Sequence, residues 1–253
     1  MTGLMTVWAD GVPKDLGEGD FAMVPAYHNH TYQFIAQETE FLGLVQPAGF
    51  DDFFANVSSP WTPKHNVPFP PDQGIAFPGQ KFQAAVKAYD INQISANWSE
   101  PVASQHGWHS GNVSLPNDSK TPYFLPNGAG PHFWHEGAGA VISPLATPVQ
   151  TDGNFTIAHV TLRKSQSNST STWTSPDHQF LYGMRGEVTI GIDGEDVRFI
   201  SGDSVFIPAG KNVSISSTRN YSKFLLCAAG SNGVDTQMIK AGKTWGYSTP
   251  PAH

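Results

Sequence analysis

Gly202-Asp-Ser-Val-Phe-Ile-Pro208 and Gly19-Asp-Phe-Ala-Met-Val-Pro25 both spell Gly-Asp, four further residues and Pro. In each copy a turn pair precedes a short apolar run, and the run stops at a proline, which has no N–H to give to a strand ladder. Such a pair is an internal repeat of low copy number, and it implies two copies of one β module.

Outward from the second copy, residues 155–162, 180–184, 187–192, 196–200, 204–207, 212–216 and 223–228 are short runs rich in β-branched and aromatic side chains. Turn pairs such as Asp193-Gly194 separate them, and this texture predicts an antiparallel barrel or sandwich. Around the first copy, residues 4–8, 32–35 and 40–46 predict further strands. Between the two ends, Phe50, Phe53 and Phe54 fall at i, i+3 and i+4 and predict a helix over 51–55. Phe82, Val86, Tyr89 and Ile94 predict a second over 82–94. The rest of 56–135 is rich in Pro, Asn, Ser and His, and a connector of that length is unusual inside one domain. The expected organisation is therefore 1–55 as part of a first β module, 56–135 as a connector with short helices, and 136–253 as a second β module.

Composition excludes several function classes. The 253 residues carry 14 Lys+Arg against 21 Asp+Glu, a formal charge of −7 with no basic stripe. Nucleic acid is not an expected partner, because its capture needs clustered cations. No apolar run approaches the roughly 18 residues of a membrane-spanning helix, so no membrane association is expected. Cys227, the single cysteine, lies in Phe224-Leu-Leu-Cys-Ala-Ala229 and reads as a small buried hydrophobe with no disulfide partner in the chain. Nine of the 13 asparagines stand in Asn-x-Ser/Thr, where chance gives about two. This density predicts a secreted glycoprotein, with candidate glycans at Asn56, Asn97, Asn112, Asn117, Asn154, Asn168, Asn212 and Asn220. The ninth sequon, at Asn29, adjoins His30 and is expected to stay unmodified. Met1-Thr-Gly-Leu-Met-Thr-Val-Trp8 has neither the basic nor the apolar region of a signal peptide.

The repeated element resembles the second motif of the cupins, G-x5-P-x-G-x2-H-x3-N. In the first copy Gly19 and Pro25 match, Tyr27 stands where Gly is usual, His30 falls on the metal-ligand histidine and Phe34 replaces the closing Asn. In the second copy Gly202, Pro208 and Gly210 match, but Val213 occupies the histidine position. With Gly186 as the closing glycine of the first cupin motif, Gln179 takes the glutamate position and the His-x-His positions become Trp173 and Ser175, or Thr172 and Thr174. The resemblance thus implies a C-terminal cupin barrel without metal ligands. If Gly3 closes the corresponding motif of the first copy, the glutamate and the His-x-His pair fall before Met1.

Further matches narrow the family. Val7-Trp8-Ala9, His30-Thr-Tyr-Gln33, Pro47-Ala-Gly-Phe50, Pro122-Tyr-Phe-Leu125, Ser143-Pro-Leu-Ala-Thr147, Thr161-Leu-Arg163 and Trp245-Gly-Tyr247 look like the fungal quercetin 2,3-dioxygenases. That resemblance covers nearly the whole chain. It implies an all-β bicupin, two jelly-roll β-barrels with the N-terminal one incomplete and a long connector with short helices. It implies one copper ion as cofactor, held by three His and a Glu, although other divalent metals suit the same ligands. The implied reaction opens the flavonol heterocycle with O2, with loss of carbon monoxide, the carboxylate acting as base. On this chain His30 is the expected metal ligand, and Tyr32, Phe41, Gly43 and Val45 are the expected walls of an apolar substrate pocket. With one ligand of four and no catalytic residue identified, the polypeptide is expected to be inactive, its N-terminal half the less stable.

Rival readings use the same residues. His28 with His30, His106 with His109, and His132 with His135 and Glu136 have metal-like spacings, but none forms a zinc signature such as H-E-x-x-H. No G-x-S-x-G elbow is present. A non-catalytic secreted bicupin that binds a small ligand, and a cupin dioxygenase of other specificity, are the alternatives.

Overall fold

The structure is a computed structural model, and it describes residues 2–58, 79–89, 91, 113–165 and 171–251. The fold is all-β and cupin. The described chain groups into two compact units, Met1–Phe41 with Pro101–His253, and Leu42–Glu100. The boundaries expected at 55 and 135 follow sequence order. The contacts instead place the first strands in the same unit as the C-terminal barrel.

The first unit opens with β1 (Met5–Ala9), β2 (Val12–Leu16), β3 (Phe21–Met23) and β4 (His30–Phe34). The second holds α1 (Asp51–Val57) and α2 (Gly79–Ala88). In that unit Phe50, Phe53, Phe54 and Tyr89 pack edge-to-face and stacked, with ring centroids 5.3–6.3 Å apart. Aromatic spacing located both helices. It set the end of the second too late, since α2 stops at Ala88.

The first unit resumes with β5 (Tyr123–Leu125), β6 (His132–His135), β7 (Ala140–Ala146), β8 (Thr156–Leu162) and β9 (Thr172–Thr174). β10 (Gln179–Arg185), β11 (Glu187–Ile192), β12 (Glu195–Ile200), β13 (Ser204–Ile207) and β14 (Asn212–Ser216) follow. β15 (Ser222–Ala228), α3 (Val234–Ala241) and β16 (Lys243–Trp245) complete it. A seven-stranded antiparallel sheet, β13-β10-β15-β8-β7-β6-β16, lies against a four-stranded one, β12-β11-β14-β9. Between them sits a core that includes Ile142, Val160, Leu162, Leu181, Ile190, Phe199, Ile215, Phe224 and Leu226, capped by Val234 and Met238 of α3. Alternation sends every second residue of a strand into that core.

The opposite face of the large sheet is covered as well. β3 pairs with β5, and Tyr123, Leu125, Phe21 and Met23 join a second apolar cluster with Leu145, Ile157, Leu225 and Cys227. Cys227 is buried as expected, and burial pushes its thiol up to about 12. Arg185 on β10 grips Glu18, ahead of β3, through both carboxylate oxygens at 2.8–3.0 Å.

The repeat read from the sequence is structural, and it holds at a constant spacing of 183 residues. β1 pairs with β2 and β4 as β11 pairs with β12 and β14, in the same register: Met5 opposes Leu16 where Val188 opposes Phe199, and Val7 opposes Tyr32 where Ile190 opposes Ile215. Both hairpins turn on Asp-Gly with positive φ, Asp10-Gly11 (49°, 79°) and Asp193-Gly194 (51°, 91°), the type I′ geometry that fits strand twist. In both, the turn aspartate accepts the backbone N–H of the residue opening the next strand region, Asn29 in one and Asn212 in the other. The strand expected over 40–46 does not form. Glu40 bonds Thr2 through its N–H, and no described strand pairs with the segment. Among the described residues no helix is long and apolar enough to cross a membrane.

Candidate functional site

Of the positions in the C-terminal barrel that the cupin resemblance sets against metal ligands, Trp173, Ser175, Gln179 and Val213 are buried, and Thr172 and Thr174 are exposed. Trp173 and Val213 oppose each other in the β9–β14 ladder and belong to the apolar core. Ser175 Oγ donates to main-chain oxygen, with Asp177 O at 3.1 Å and Asn232 O at 3.3 Å. Gln179 Oε1 accepts the Val234 N–H at the start of α3, at 3.1 Å. The polar pair therefore ties α3 to the barrel, and the apolar pair fills the interior. No imidazole or carboxylate is among these four side chains.

The spacing of 183 places His30 on β4 where Val213 stands on β14. His30, Tyr32 and Phe34 share a face of β4 with Met5, Val7 and Ala9 of β1, the face equivalent to the interior of the C-terminal barrel. His30 is exposed, and its Nδ1 lies 3.1 Å from the His28 carbonyl oxygen. Tyr32 and Phe41, 43% and 47% exposed, are brought together with Phe34 in a cluster with ring centroids 5.5–5.8 Å apart. Gly43 and Val45 belong to the other unit, and both are exposed.

His28, His132, His135 and His178 have local duties. His28 Nδ1 meets Asp10 Oδ2 at 2.5 Å; this hydrogen bond raises the imidazole pKa, lowers that of the carboxyl and holds the first Asp-Gly turn. His135 Nδ1 accepts the Ala138 N–H at 3.0 Å, and His178 Nδ1 accepts that of Ala209 at 3.1 Å. Both nitrogens of His132 are engaged, by Ser143 Oγ and the Gly128 carbonyl. The His132 and His135 pair therefore does not converge on a common point. His106 and His109 lie outside the described residues. Among the described residues no group of three His, Cys, Asp or Glu is arranged to hold a metal ion.

Sequon asparagines Asn56, Asn117, Asn154, Asn212 and Asn220 are exposed. Asn97, Asn112 and Asn168 lie outside the described residues. No site role was expected of Ser143, His159, Thr161 and Lys223, polar residues within strands buried on both faces. Their signal was a polar side chain inside an apolar run: Ser143 in β7, His159 and Thr161 at alternate positions of β8, and Lys223 in β15.

Residues 155–224 match the EutQ-like cupin domain family. Over 94% of its length the chain is 27% identical to quercetin 2,3-dioxygenase of Aspergillus japonicus, spanning 72% of that protein. It is 36% identical to quercetin 2,3-dioxygenase of Bacillus subtilis over 24% of this chain and 18% of the other. The EutQ protein of Clostridium difficile shares 22% identity over 37% of this chain and 70% of its own, with a TM-score of 0.32.

Proposed function

The chain is a quercetinase-like member of the cupin family, and on that premise we propose that it is a cupin of the dioxygenase lineage directed at flavonols, with O2 as co-substrate. The observation that carries this reading is the 27% identity extending over 94% of the chain. His30 supports it, because it occupies the family's ligand position on the face equivalent to a barrel interior. Tyr32 and Phe41 support it as an exposed aromatic surface against which a flat polyphenol can lie.

The described residues do not by themselves fit a copper ion. One exposed imidazole is present at the family position, and the equivalent positions of the C-terminal barrel are Trp173, Ser175, Gln179 and Val213. A cupin copper site takes several imidazoles and a carboxylate. The part proposed for this chain's residues is therefore substrate contact by Tyr32 and Phe41, with His30 beside them.

A second reading, a non-catalytic cupin that binds a small ligand, is favoured by the filled interior of the C-terminal barrel. Copper content by elemental analysis, with quercetin loss and oxygen uptake after copper loading, separates the two. Stoichiometric copper with turnover supports the dioxygenase. Quercetin binding without oxygen uptake supports the second reading, and neither binding nor turnover defeats both. The chain is further proposed to be a secreted glycoprotein, on the exposure of its described sequons. No loss of mass on enzymatic N-deglycosylation of material from a eukaryotic host would refute this.

A further inference from the structure

β7, β8 and β15 are buried on both faces, and the face turned away from the barrel core carries polar groups. Ser143 stands directly opposite His159 in the β7–β8 ladder, and Thr161 directly opposite Lys223 in the β8–β15 ladder. Partners across an antiparallel ladder lie about 5 Å apart, and alternate positions on one strand about 6.8 Å apart. The four side chains thus step diagonally across β7, β8 and β15, and they line a pocket of about 170 Å³ whose walls include Leu145 and Tyr221.

Among the described residues no acidic side chain lines this pocket. Lys223 is 9% exposed, and its ammonium makes one hydrogen bond, to Asn127 Oδ1 at 2.8 Å, so two N–H donors remain. The acids whose charge reaches it are committed elsewhere: Glu18 to Arg185, and Asp20 to the backbone N–H groups of Asn127 and Gly17. A buried ammonium without a counterion is costly, and an anionic ligand offsets that cost.

The Ser143 and His159 end of the pocket differs. His132 Nε2 faces the Gly128 carbonyl, which can only accept, so Nε2 carries the proton. Burial keeps the ring neutral, so Nδ1 accepts, and Ser143 must donate its hydroxyl proton to it across 2.8 Å. Ser143 therefore presents only lone pairs to the pocket. His159, 4% exposed, makes no ring hydrogen bond among the described residues, and burial holds it neutral with one donor and one acceptor.

We propose that this pocket binds a small organic carboxylate, its anionic end held by Lys223 and Thr161 and a hydrogen-bond donor at its far end received by Ser143 and His159. A cavity of about 150 Å³ holds benzene, so one six-membered ring fits between Leu145 and Tyr221. A carboxylate and a hydroxyl at opposite ends of such a ring match the roughly 6.8 Å between Thr161 and His159, two residues apart on β8. The site lies on the sheet face away from the barrel core, so carboxylate binding can fail while flavonol turnover stands, and the reverse.

Calorimetric titration of the full chain with 4-hydroxybenzoate at pH 7 is expected to give one site, at least tenfold tighter than for uncharged 4-hydroxybenzamide. Lys223→Met is expected to weaken the carboxylate at least tenfold and leave the amide unchanged. In the unmodified protein, 4-hydroxybenzoate is expected to shield Lys223 from reductive methylation, read by peptide mass spectrometry, which does not depend on a variant folding. Equal affinity for acid and amide, an unshielded Lys223, undiminished affinity in folded Lys223→Met, or no binding at millimolar ligand overturns the proposal.

Discussion

Trp173 on β9 stands directly opposite Val213 on β14, and both are buried in the barrel core. Those positions serve packing here. Trp173→Ala is expected to cost about 3–5 kcal/mol. Val213→His is expected to cost about 1–3 kcal/mol by burying an unpaired imidazole, and to leave the copper content of the protein unchanged. Urea denaturation and elemental analysis check both.

Tyr27 holds a φ of +70° where its counterpart in the repeat, Gly210, holds +80°. A side chain in that region costs about 1–2 kcal/mol, and Tyr27 is fully exposed, so no packing offsets the strain. The extra backbone freedom of glycine in the unfolded chain costs up to about 1 kcal/mol. Tyr27→Gly is expected to raise stability by about 0.5–1 kcal/mol, read as a higher urea midpoint with an unchanged slope.

Gly183, at the irregularity where β10 shifts register on β15, has no room for a side chain. A Cβ there would lie 2.0 Å from the Ile200 carbonyl oxygen, which is backbone. Gly183→Ala is expected to destabilise by about 3 kcal/mol through overpacking. A thermal midpoint unchanged in the variant would contradict this.

Burial raises the Asp235 carboxyl to about 6, its Oδ1 having no hydrogen-bond partner. Between the unfolded value near 3.8 and about 6, the folded state binds more protons than the unfolded one, so stability falls as pH rises through that window and stays lower above it. Asp235→Asn is expected to flatten this slope and to gain on the order of 2–3 kcal/mol at pH 7.5. Denaturant titrations at pH 4, 5, 6 and 7.5 test the sign.

Lys223 behaves in the opposite sense. Burial lowers its ammonium to about 8, so between about 8 and 10.5 the unfolded state binds more protons, and stability rises with pH through that window. Below about 8 the cost of the buried charge is fully present. Lys223→Met removes it but leaves Asn127 Oδ1 without its donor, and is expected to gain about 1–3 kcal/mol at pH 7 with no rise between pH 8 and 10.

Much of the fold was legible because its signals are local. The Asp-Gly turns, the alternation within each strand and the prolines closing β13 and following β3 are set by neighbours in the chain, and they revealed the repeat. The expected strand at 40–46 failed for a reason local pattern cannot register: a strand needs a partner for its N–H and C=O groups, and none is described there. Of the candidate site, His30 and the Tyr32–Phe41 contact came from motif position. The pocket of Ser143, His159, Thr161 and Lys223 had no motif, because its residues come from three strands spread over 80 positions.

The sequence by itself determined the β class, the repeat and the lineage, since turn chemistry, period-two alternation and motif spacing are properties of contiguous residues. Only the tertiary structure decided that Trp173 and Val213 fill the barrel and that β3 pairs with β5 rather than within its own repeat. It also decided that a buried lysine shares one sheet face with a histidine and a serine from two other strands. Each of these depends on which strands become neighbours, and that pairing is settled by burial of the whole sheet on both faces rather than by any one segment.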